Sequence, residues 1–132
     1  MIGLDTNILI RYITQDDPVQ APKATALIEG QLTEGNPGFI SIVTLVETAW
    51  VLARTYSLAD EEIAAEIRLI LSSDSLVVEH EKEAHGAMIA LKEGSGKFAN
   101  ALVGALGLKA GCSHTLTFDR KASRLPGFGL LS

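Results

Sequence analysis

The chain has 132 residues, of which 47% are hydrophobic and 20% are charged, and its formal net charge is −5. This length is typical of one domain with its own core, and the composition excludes disordered and fibrous chains. The negative net charge argues against a broad basic surface for nucleic acid, unless several of the acids bind a cation. We therefore expect a single domain over residues 1–132.

The sequence indicates a soluble protein from a reducing compartment. The chain does not begin with a basic segment followed by an apolar stretch, and no apolar run approaches the roughly 18 residues of a membrane span. Cys112 is the only cysteine. Because no disulfide can form within the chain, we expect a cytoplasmic location, and we interpret Cys112 as a small buried residue.

Predicted strands and helices alternate along the chain. Met1–Leu4 is predicted to form a buried strand that leads directly into a helix over Thr6–Thr14. Asp17 and Pro18 are typical of a helix start, which predicts the next helix over 19–32. The remaining predictions are a turn at 35–38, strands at 39–42, 75–79, 114–118 and 128–131, and helices at 43–56, 59–73, 81–94 and 97–111.

The hydrophobic pattern predicts how these elements pack. The helices over 43–56 and 97–111 are apolar on almost every side. The helices over 59–73 and 81–94 are amphipathic. Their apolar faces carry Ile63, Ile67, Ile70 and Leu71 in the first, and Ala84, Ala87, Met88 and Leu91 in the second. Strands that alternate with helices predict the α/β class, with a parallel sheet covered by helices on both faces.

Four polar residues interrupt apolar segments: Asp5, Glu47, Asn100 and Asp119. Asp5 and Asp119 follow predicted strands, whereas Glu47 and Asn100 lie near the starts of helices. Because the carboxyl ends of parallel strands meet at one edge of a sheet, we expect the four side chains to converge. Clustered carboxylates repel one another, and a divalent cation removes that repulsion. Oxygen ligands without a His or Cys cluster favour Mg²⁺ or Mn²⁺.

Each of the four residues also has a simpler structural interpretation. Asp5 is equally well explained as the cap of the helix that follows it, and Asp119 as a turn residue. Glu47 needs a partner in its apolar helix, and Arg54, about two turns later, is one candidate. Asn100 is of a type that often satisfies a helix terminus. Taken together, the four residues favour a cation site that neutralises Asp5.

Four segments together resemble the PIN domain in its VapC-type toxin form. They are LDTNILIRYI at 4–13, VTLVETAWVL at 43–52, FANALVGAL at 98–106 and HTLTFDRKASRLPG at 114–127. The resemblance implies a three-layer α/β/α sandwich with a central parallel sheet of four to five strands. It also implies an endoribonuclease, dependent on Mg²⁺ or Mn²⁺, that cuts RNA phosphodiesters with a metal-activated water.

The resemblance also assigns residues and partners. Asp5, Glu47 and Asp119 match the metal-binding and catalytic acids of the family. Thr117 matches a hydroxyl residue that often supports the metal waters, and Asn7 matches a polar position that helps to hold the first acid. The implied partners are RNA, a VapB-type antitoxin that blocks the site, a second copy in a homodimer, and operator DNA only through the antitoxin complex. No membrane association is implied.

Position 100 departs from the family pattern. The family usually reads FADALI, whereas this chain reads FANALV, and Lys97 also stands where relatives often carry an acid. The amide oxygen of Asn100 is still a possible metal ligand, but it brings no negative charge, so we expect weaker cation binding. The hypothesis is a chain that keeps the fold and antitoxin binding but cleaves RNA poorly.

Two other interpretations remain open. A receiver domain of a response regulator has a similar length and a Mg²⁺ site, but it needs two adjacent acids after its first strand and an Asp after its third. A PIN-like subunit that has lost catalysis and acts through complex assembly is the second alternative.

The substrate side of the sequence is less informative. The basic residues that are candidates for phosphate contacts, although each is individually better explained as a solvated charge, are Arg11, Arg54, Lys97, Arg120, Lys121 and Arg124. We expect Trp50, Tyr12 and Tyr56 in the core or at an interface. The three histidines show no metal-ligand spacing and are interpreted as structural.

Overall fold

Every strand pairing in the computed structural model, which describes residues 1–132, is parallel. The strands are β1 (Ile2–Gly3), β2 (Gly38–Ile40), β3 (Leu76–Val78), β4 (Thr115–Thr117) and β5 (Phe128–Leu130). The first three form one sheet in the order β1-β2-β3, and β4 pairs with β5 in a second sheet. The α/β prediction is confirmed, with the five strands divided between two parallel sheets.

Helices connect the strands as the sequence predicts. They are α1 (Thr6–Thr14), α2 (Gln20–Thr25), α3 (Ile42–Arg54), α4 (Asp60–Ser72), α5 (Glu81–Lys92) and α6 (Phe98–Lys109). A π-helical segment over Ala26–Gln31 extends α2, and a 3₁₀ turn covers Ala122–Arg124. None of these helices has both the length and the apolar character needed to cross a bilayer.

The chain packs as two compact units, Met1–Glu81 and Lys82–Ser132. In the first unit, α3 and α4 bury Leu45, Leu52 and Ile67, each at most 1% exposed. The residues that α5 and α6 bury in the second unit are Ala84, Ala87, Met88, Leu91, Phe98 and Leu102. The predicted apolar faces of α4 and α5 are thus confirmed, although Leu71 is only half-buried.

The predicted burial of the first strand and of the cysteine is wrong. Ile2 is 45% exposed and Gly3 is also exposed, so that only Leu4 of the N-terminal segment is buried. Asp5 is exposed as well, and water therefore solvates its charge without any cation. Cys112 is exposed and follows the turn that ends α6.

Gly38 belongs to a strand and not to the predicted turn. The turn lies two residues earlier than predicted, at 33–36, where the backbones of Thr33 and Asn36 exchange two hydrogen bonds of 3.1 Å. Gly38 is buried at the start of β2. A Cβ atom there would lie 2.8 Å from Cδ1 of Leu32 and 2.9 Å from Cδ1 of Leu4. Packing, and not turn geometry, therefore selects glycine at this position.

A polar network joins the loop after α1 to the residues that follow α3. The Tyr56 hydroxyl donates to Oδ2 of Asp16 at 2.6 Å, and the Thr14 hydroxyl donates to Oδ1 at 2.8 Å. Nη1 of Arg11 donates to both Asp16 and Tyr56. Arg11, a predicted phosphate contact, is thus engaged in this network. The hydrogen bonds from Tyr56 and Thr14 lower the pKa of Asp16.

Tyr56→Phe tests this network through its pH dependence. Because the folded-state pKa of Asp16 lies below its unfolded value of about 3.9, the hydrogen bonds stabilise the fold fully above that pH. The stabilisation is lost as the pH falls through the folded pKa. We expect Tyr56→Phe to have a lower free energy of unfolding than the parent at neutral pH, as measured with urea. The difference between the two free energies should narrow below about pH 4.

An Asp16→Asn background is the matched control for this measurement. There, Tyr56→Phe should produce no gap that depends on pH in the acid range, because no carboxylate remains to titrate. A gap that stays constant down to about pH 3 in the parent background would contradict the assignment of the effect to Asp16.

Candidate active site

The carboxyl edge of the three-stranded sheet places two of the predicted acids in the first unit. The strands β1, β2 and β3 are parallel, so their carboxyl ends share one edge. Asp5 follows β1, and α3, which carries Glu47, begins soon after β2. Glu79 comes directly after β3. Asp5 and the start of the helix that carries Glu47 therefore lie at the same edge of this sheet.

Two hydrogen bonds fix the first turn of α3 and hence the direction of Glu47. Ser41 is the N-cap, and its hydroxyl oxygen accepts from the backbone N–H of Thr44 at 3.2 Å. Oε1 of Glu79 accepts from the backbone N–H of Ile42 at 3.0 Å. A carboxylate at a helix N-terminus also interacts favourably with the helix dipole. Sequence reasoning missed this role of Glu79.

Thr6 connects the two acids of the first unit. Its backbone N–H donates to Oδ1 of Asp5 at 2.7 Å, and its hydroxyl donates to Oε1 of Glu47. Thr6 is buried, whereas both carboxylates are exposed. Neither Oδ2 of Asp5 nor Oε2 of Glu47 has a hydrogen-bond partner in the protein. One buried residue thus holds both acids by one oxygen each and leaves the other oxygens accessible.

The sequence carried a signal for Thr6 that our argument did not use. Thr6 is a hydroxyl residue at the first position of an otherwise apolar helical face, where a buried hydroxyl needs an acceptor. The resemblance gave the supporting role to Asn7. In the structure Asn7 is exposed and makes no hydrogen bond to Asp5. The cap interpretation of Asp5 is confirmed, since Asp5 is the N-cap of α1.

The expected partner of Glu47 was wrong. Arg54 does not pair with it, and its guanidinium lies instead over the ring of Trp50. Although α3 is apolar on almost every side, it is not buried on every side, because Val43, Glu47 and Trp50 are exposed. The charge on Glu47 therefore needs no buried partner, since the carboxylate is hydrated on one side and bonded to Thr6 on the other.

The second unit contains Asp119, which organises the turn after β4. Its Oδ1 accepts from the backbone N–H groups of Lys121 at 2.8 Å and Ala122 at 3.1 Å. The hydroxyl oxygen of Thr117 accepts from the N–H of Asp119 at 3.0 Å. The interpretation of Asp119 as a turn residue is thus confirmed. Its Oδ2 has no partner in the protein and remains available to a ligand.

Asn100 lies in the first turn of α6 and is half-buried. The side-chain amide makes no hydrogen bond within the protein. The interpretation of Asn100 as a group that satisfies the helix terminus is therefore wrong. Lys97 is the N-cap of α6, and its side chain makes no capping hydrogen bond. The amide oxygen of Asn100 is free to bind another group.

The donors at these positions fit a hard cation by their chemistry. All are carboxylate, amide or hydroxyl oxygens, which Mg²⁺ and Mn²⁺ prefer. The structure contains no cluster of three or more His, Cys, Asp or Glu side chains. Mg²⁺ is commonly held by one or two carboxylates and keeps several waters, so the Asp5–Glu47 pair matches a usual way of holding it.

The comparison with protein families decides what kind of chain this is. Residues 2–127 match the model of the PIN domain. The chain belongs to the PIN domain family. PIN domains are generally Mg²⁺-dependent nucleases, so a nuclease role follows at that level. No curated protein and no solved structure matches the chain.

The match covers all four segments that carried the resemblance, from LDTNILIRYI to the end of HTLTFDRKASRLPG. It confirms the PIN part of that resemblance and decides against the receiver-domain alternative. In this PIN domain the two acids of the first unit share Thr6, and Asp119 of the second unit is held by its own turn.

Thr6→Val tests the bridge between the acids of the PIN domain. The variant keeps the shape of the side chain but removes the hydroxyl that donates to Glu47. We expect the free energy of unfolding to fall by about 1–2 kcal/mol, and the affinity for Mn²⁺ to fall by about tenfold, because Glu47 loses its orientation. Urea unfolding and Mn²⁺ titration by calorimetry measure the two quantities.

Two variants control for the loss of a buried hydroxyl. Thr6→Ser keeps the donor and should retain Mn²⁺ binding. Thr48→Val removes a different buried hydroxyl, that of Thr48 on α3, which donates to the carbonyl of Thr44 at 2.8 Å. It should lower stability but leave Mn²⁺ binding unchanged. Equal loss of Mn²⁺ affinity in Thr6→Val and Thr48→Val would contradict a specific role for Thr6.

Proposed function

We propose that this PIN domain is a Mg²⁺-dependent endoribonuclease of the VapC toxin type, which cuts RNA phosphodiesters with a water. The single observation that carries the proposal is the pair of exposed acids joined through Thr6 at the carboxyl edge of the β1-β2-β3 sheet. This arrangement orients two carboxylates without neutralising them. Such a pair suits a divalent cation, which would in turn bind a phosphate oxygen, better than it suits a structural role.

The proposed ligands of Mg²⁺, or of Mn²⁺ in its place, are oxygens of Asp5, Glu47, Asn100 and Asp119. When bound, the metal lowers the pKa of a water and stabilises charge on the scissile phosphate. The protein's part is positioning. Thr6 orients Asp5 and Glu47 through its two hydrogen bonds. Thr117 holds the backbone of Asp119, and we assign its hydroxyl the further role of supporting metal waters.

The proposed partners follow from the VapC-type resemblance. They are the RNA substrate, a VapB-type antitoxin that covers the acids, and a second copy of the chain in a homodimer. Operator DNA is bound only through the antitoxin complex. We further propose that residues 1–132 act as one domain in the cytoplasm.

A second candidate function is supported by Asn100. This residue offers an uncharged amide, with no hydrogen bond of its own, where the family pattern has a carboxylate. A PIN domain with a weakened metal site would act mainly through complex assembly with its antitoxin. The two functions differ in whether the chain cleaves RNA in the presence of Mg²⁺ or Mn²⁺.

Removal of single carboxylates tests the proposed nuclease. We expect Asp5→Asn, Glu47→Gln and Asp119→Asn each to lower Mn²⁺-dependent cleavage of RNA by about a hundredfold or more, because each removes a charged ligand. Cleavage is measured on a labelled single-stranded RNA, with EDTA as the metal-free condition. Glu34→Gln, which removes the same charge from the exposed turn before β2, should cleave like the parent.

Cleavage that survives each of the three substitutions, or that persists in EDTA, would overturn the proposed mechanism. If only Asp5→Asn and Glu47→Gln lost activity, Asp119 would be excluded from the proposed ligands of the metal.

Asn100→Asp tests whether the amide attenuates the enzyme. The substitution restores one negative charge to the proposed ligand set, and we expect Mn²⁺ to bind about tenfold more tightly and RNA cleavage to rise accordingly. Gln31→Glu adds the same charge to an exposed position after α2 and should change neither quantity. If Asn100→Asp gains nothing in binding or cleavage, position 100 does not limit this PIN domain.

A further inference from the structure

The exposed face of α3 continues beyond Glu47. Val43, Glu47, Trp50 and Arg54 are all exposed and are spaced by four, three and four residues, so they lie along one side of the helix. Val43 is 74% exposed and Trp50 is 57% exposed. The opposite side of α3 is buried through Leu45, Thr48, Ala49 and Leu52. Trp50 is therefore neither in the core nor covered by the rest of the chain.

Arg54 and Trp50 form a stacked pair. Cζ of Arg54 lies 5.4 Å from the centroid of the indole, within the range of a cation–π contact. Arg54 is in no ion pair, in contrast to Arg11, which is bound to Asp16. The contact orders the guanidinium, and no carboxylate neutralises its positive charge. Trp50 as a residue is more than half exposed, so a ligand can reach its side chain.

The pair lies next to a proposed metal ligand. Trp50 follows Glu47 by three residues on α3, a rise of about 4.5 Å along the helix axis. Side chains with this spacing are neighbours on a helix surface. A nucleotide whose phosphate is bound through a cation at Glu47 would thus bring an adjacent base within reach of the indole, and another phosphate within reach of Arg54.

We propose that Trp50 and Arg54 form a stacking platform that binds one unpaired base of the RNA substrate and its phosphate beside Glu47. Proteins that bind single-stranded nucleic acids use an aromatic ring with an adjacent guanidinium. Every base has a flat face that stacks on the ring, and a phosphate near it that the guanidinium binds. The proposal rests on the proposed nuclease function and adds to it a base-binding subsite formed by Trp50 and Arg54 on α3.

The indole itself reports on this proposal, because Trp50 is the only tryptophan of the chain. A short single-stranded RNA of mixed sequence is titrated into the parent, in EDTA so that no metal-dependent cleavage occurs. We expect quenching of the tryptophan emission that saturates with RNA. A duplex of the same sequence, whose bases are already stacked, should quench much less.

Substitutions then separate stacking from charge. We expect Trp50→Ala to weaken RNA binding by about tenfold and to raise KM more than it lowers kcat, because stacking contributes to substrate binding. Trp50→Phe should retain most of the affinity. Arg54→Lys should bind less tightly than the parent, since lysine keeps the charge but not the planar stack. Binding of the Trp50 variants is followed by fluorescence anisotropy of a labelled RNA.

Val43→Ala is the matched control. It shortens another exposed apolar side chain of the same helix face, one turn before Glu47. RNA binding by this variant should stay within about twofold of the parent. If Val43→Ala and Trp50→Ala lost RNA affinity equally, the apolar face would act as a whole, and the stacking platform would be overturned.

Other outcomes separate the platform from the nuclease. If the parent cleaves RNA but shows no quenching, and Trp50→Ala cleaves like the parent, the platform is wrong and the nuclease stands. If quenching and the loss in Trp50→Ala occur while neither the parent nor Asn100→Asp cleaves RNA, the platform stands and the nuclease fails. One further outcome would overturn the proposal. If the tryptophan emission shifts to the blue as the protein concentration rises without RNA, and RNA then no longer quenches it, Trp50 belongs to a dimer contact.

Discussion

The two hydrogen bonds of Thr6 are the interaction on which the proposed chemistry of this PIN domain depends most. Its backbone N–H holds Asp5 at the end of β1, and its hydroxyl holds Glu47 on α3. The residue is buried, so it cannot easily give up either bond to water. Two carboxylates that would otherwise move independently and repel each other are kept side by side, each with one oxygen free.

This arrangement works only because α3 is itself fixed at its start. Ser41 caps the helix, and Glu79 at the end of β3 accepts from the N–H of Ile42. The three strands of the sheet thus contribute at one edge: β1 leads into Asp5, β2 into Ser41 and β3 into Glu79. The same helix presents Trp50 and Arg54 to solvent beyond Glu47, so that the anchored turn also orients the proposed RNA contact.

Local sequence signals predicted the regular elements well. The bounds of α1 are those predicted from Thr6 to Thr14, and the apolar faces of α4 and α5 are the predicted ones. These elements follow from spacing along one segment, which the sequence displays directly. The exposure of Ile2, Asp5 and Cys112 was missed, because burial depends on what packs against a residue and apolar neighbours in sequence do not determine it.

In the candidate site, too, local sequence signals were predictive and contacts between distant segments were not. Strand ends and helix starts led to Asp5, Glu47 and Asp119, since polar residues in apolar segments are conspicuous. Thr6 and Glu79 were missed because their roles are contacts between segments far apart in sequence, and each residue by itself is ordinary. Arg54, one candidate partner of Glu47, lies over Trp50 instead, because helical spacing shows which residues share a face but not which ring a guanidinium covers.

The small side chain at position 38 affects the packing next to one of the acids. Gly38 leaves just enough room for the methyl groups of Leu4 and Leu32. Leu4 is bonded through its N–H to the carbonyl of Phe39 and immediately precedes Asp5. A larger residue at position 38 would force the side chains of Leu4 and Leu32 to move. Position 38, which does not belong to the proposed site, thus shapes the packing around the residue that precedes Asp5.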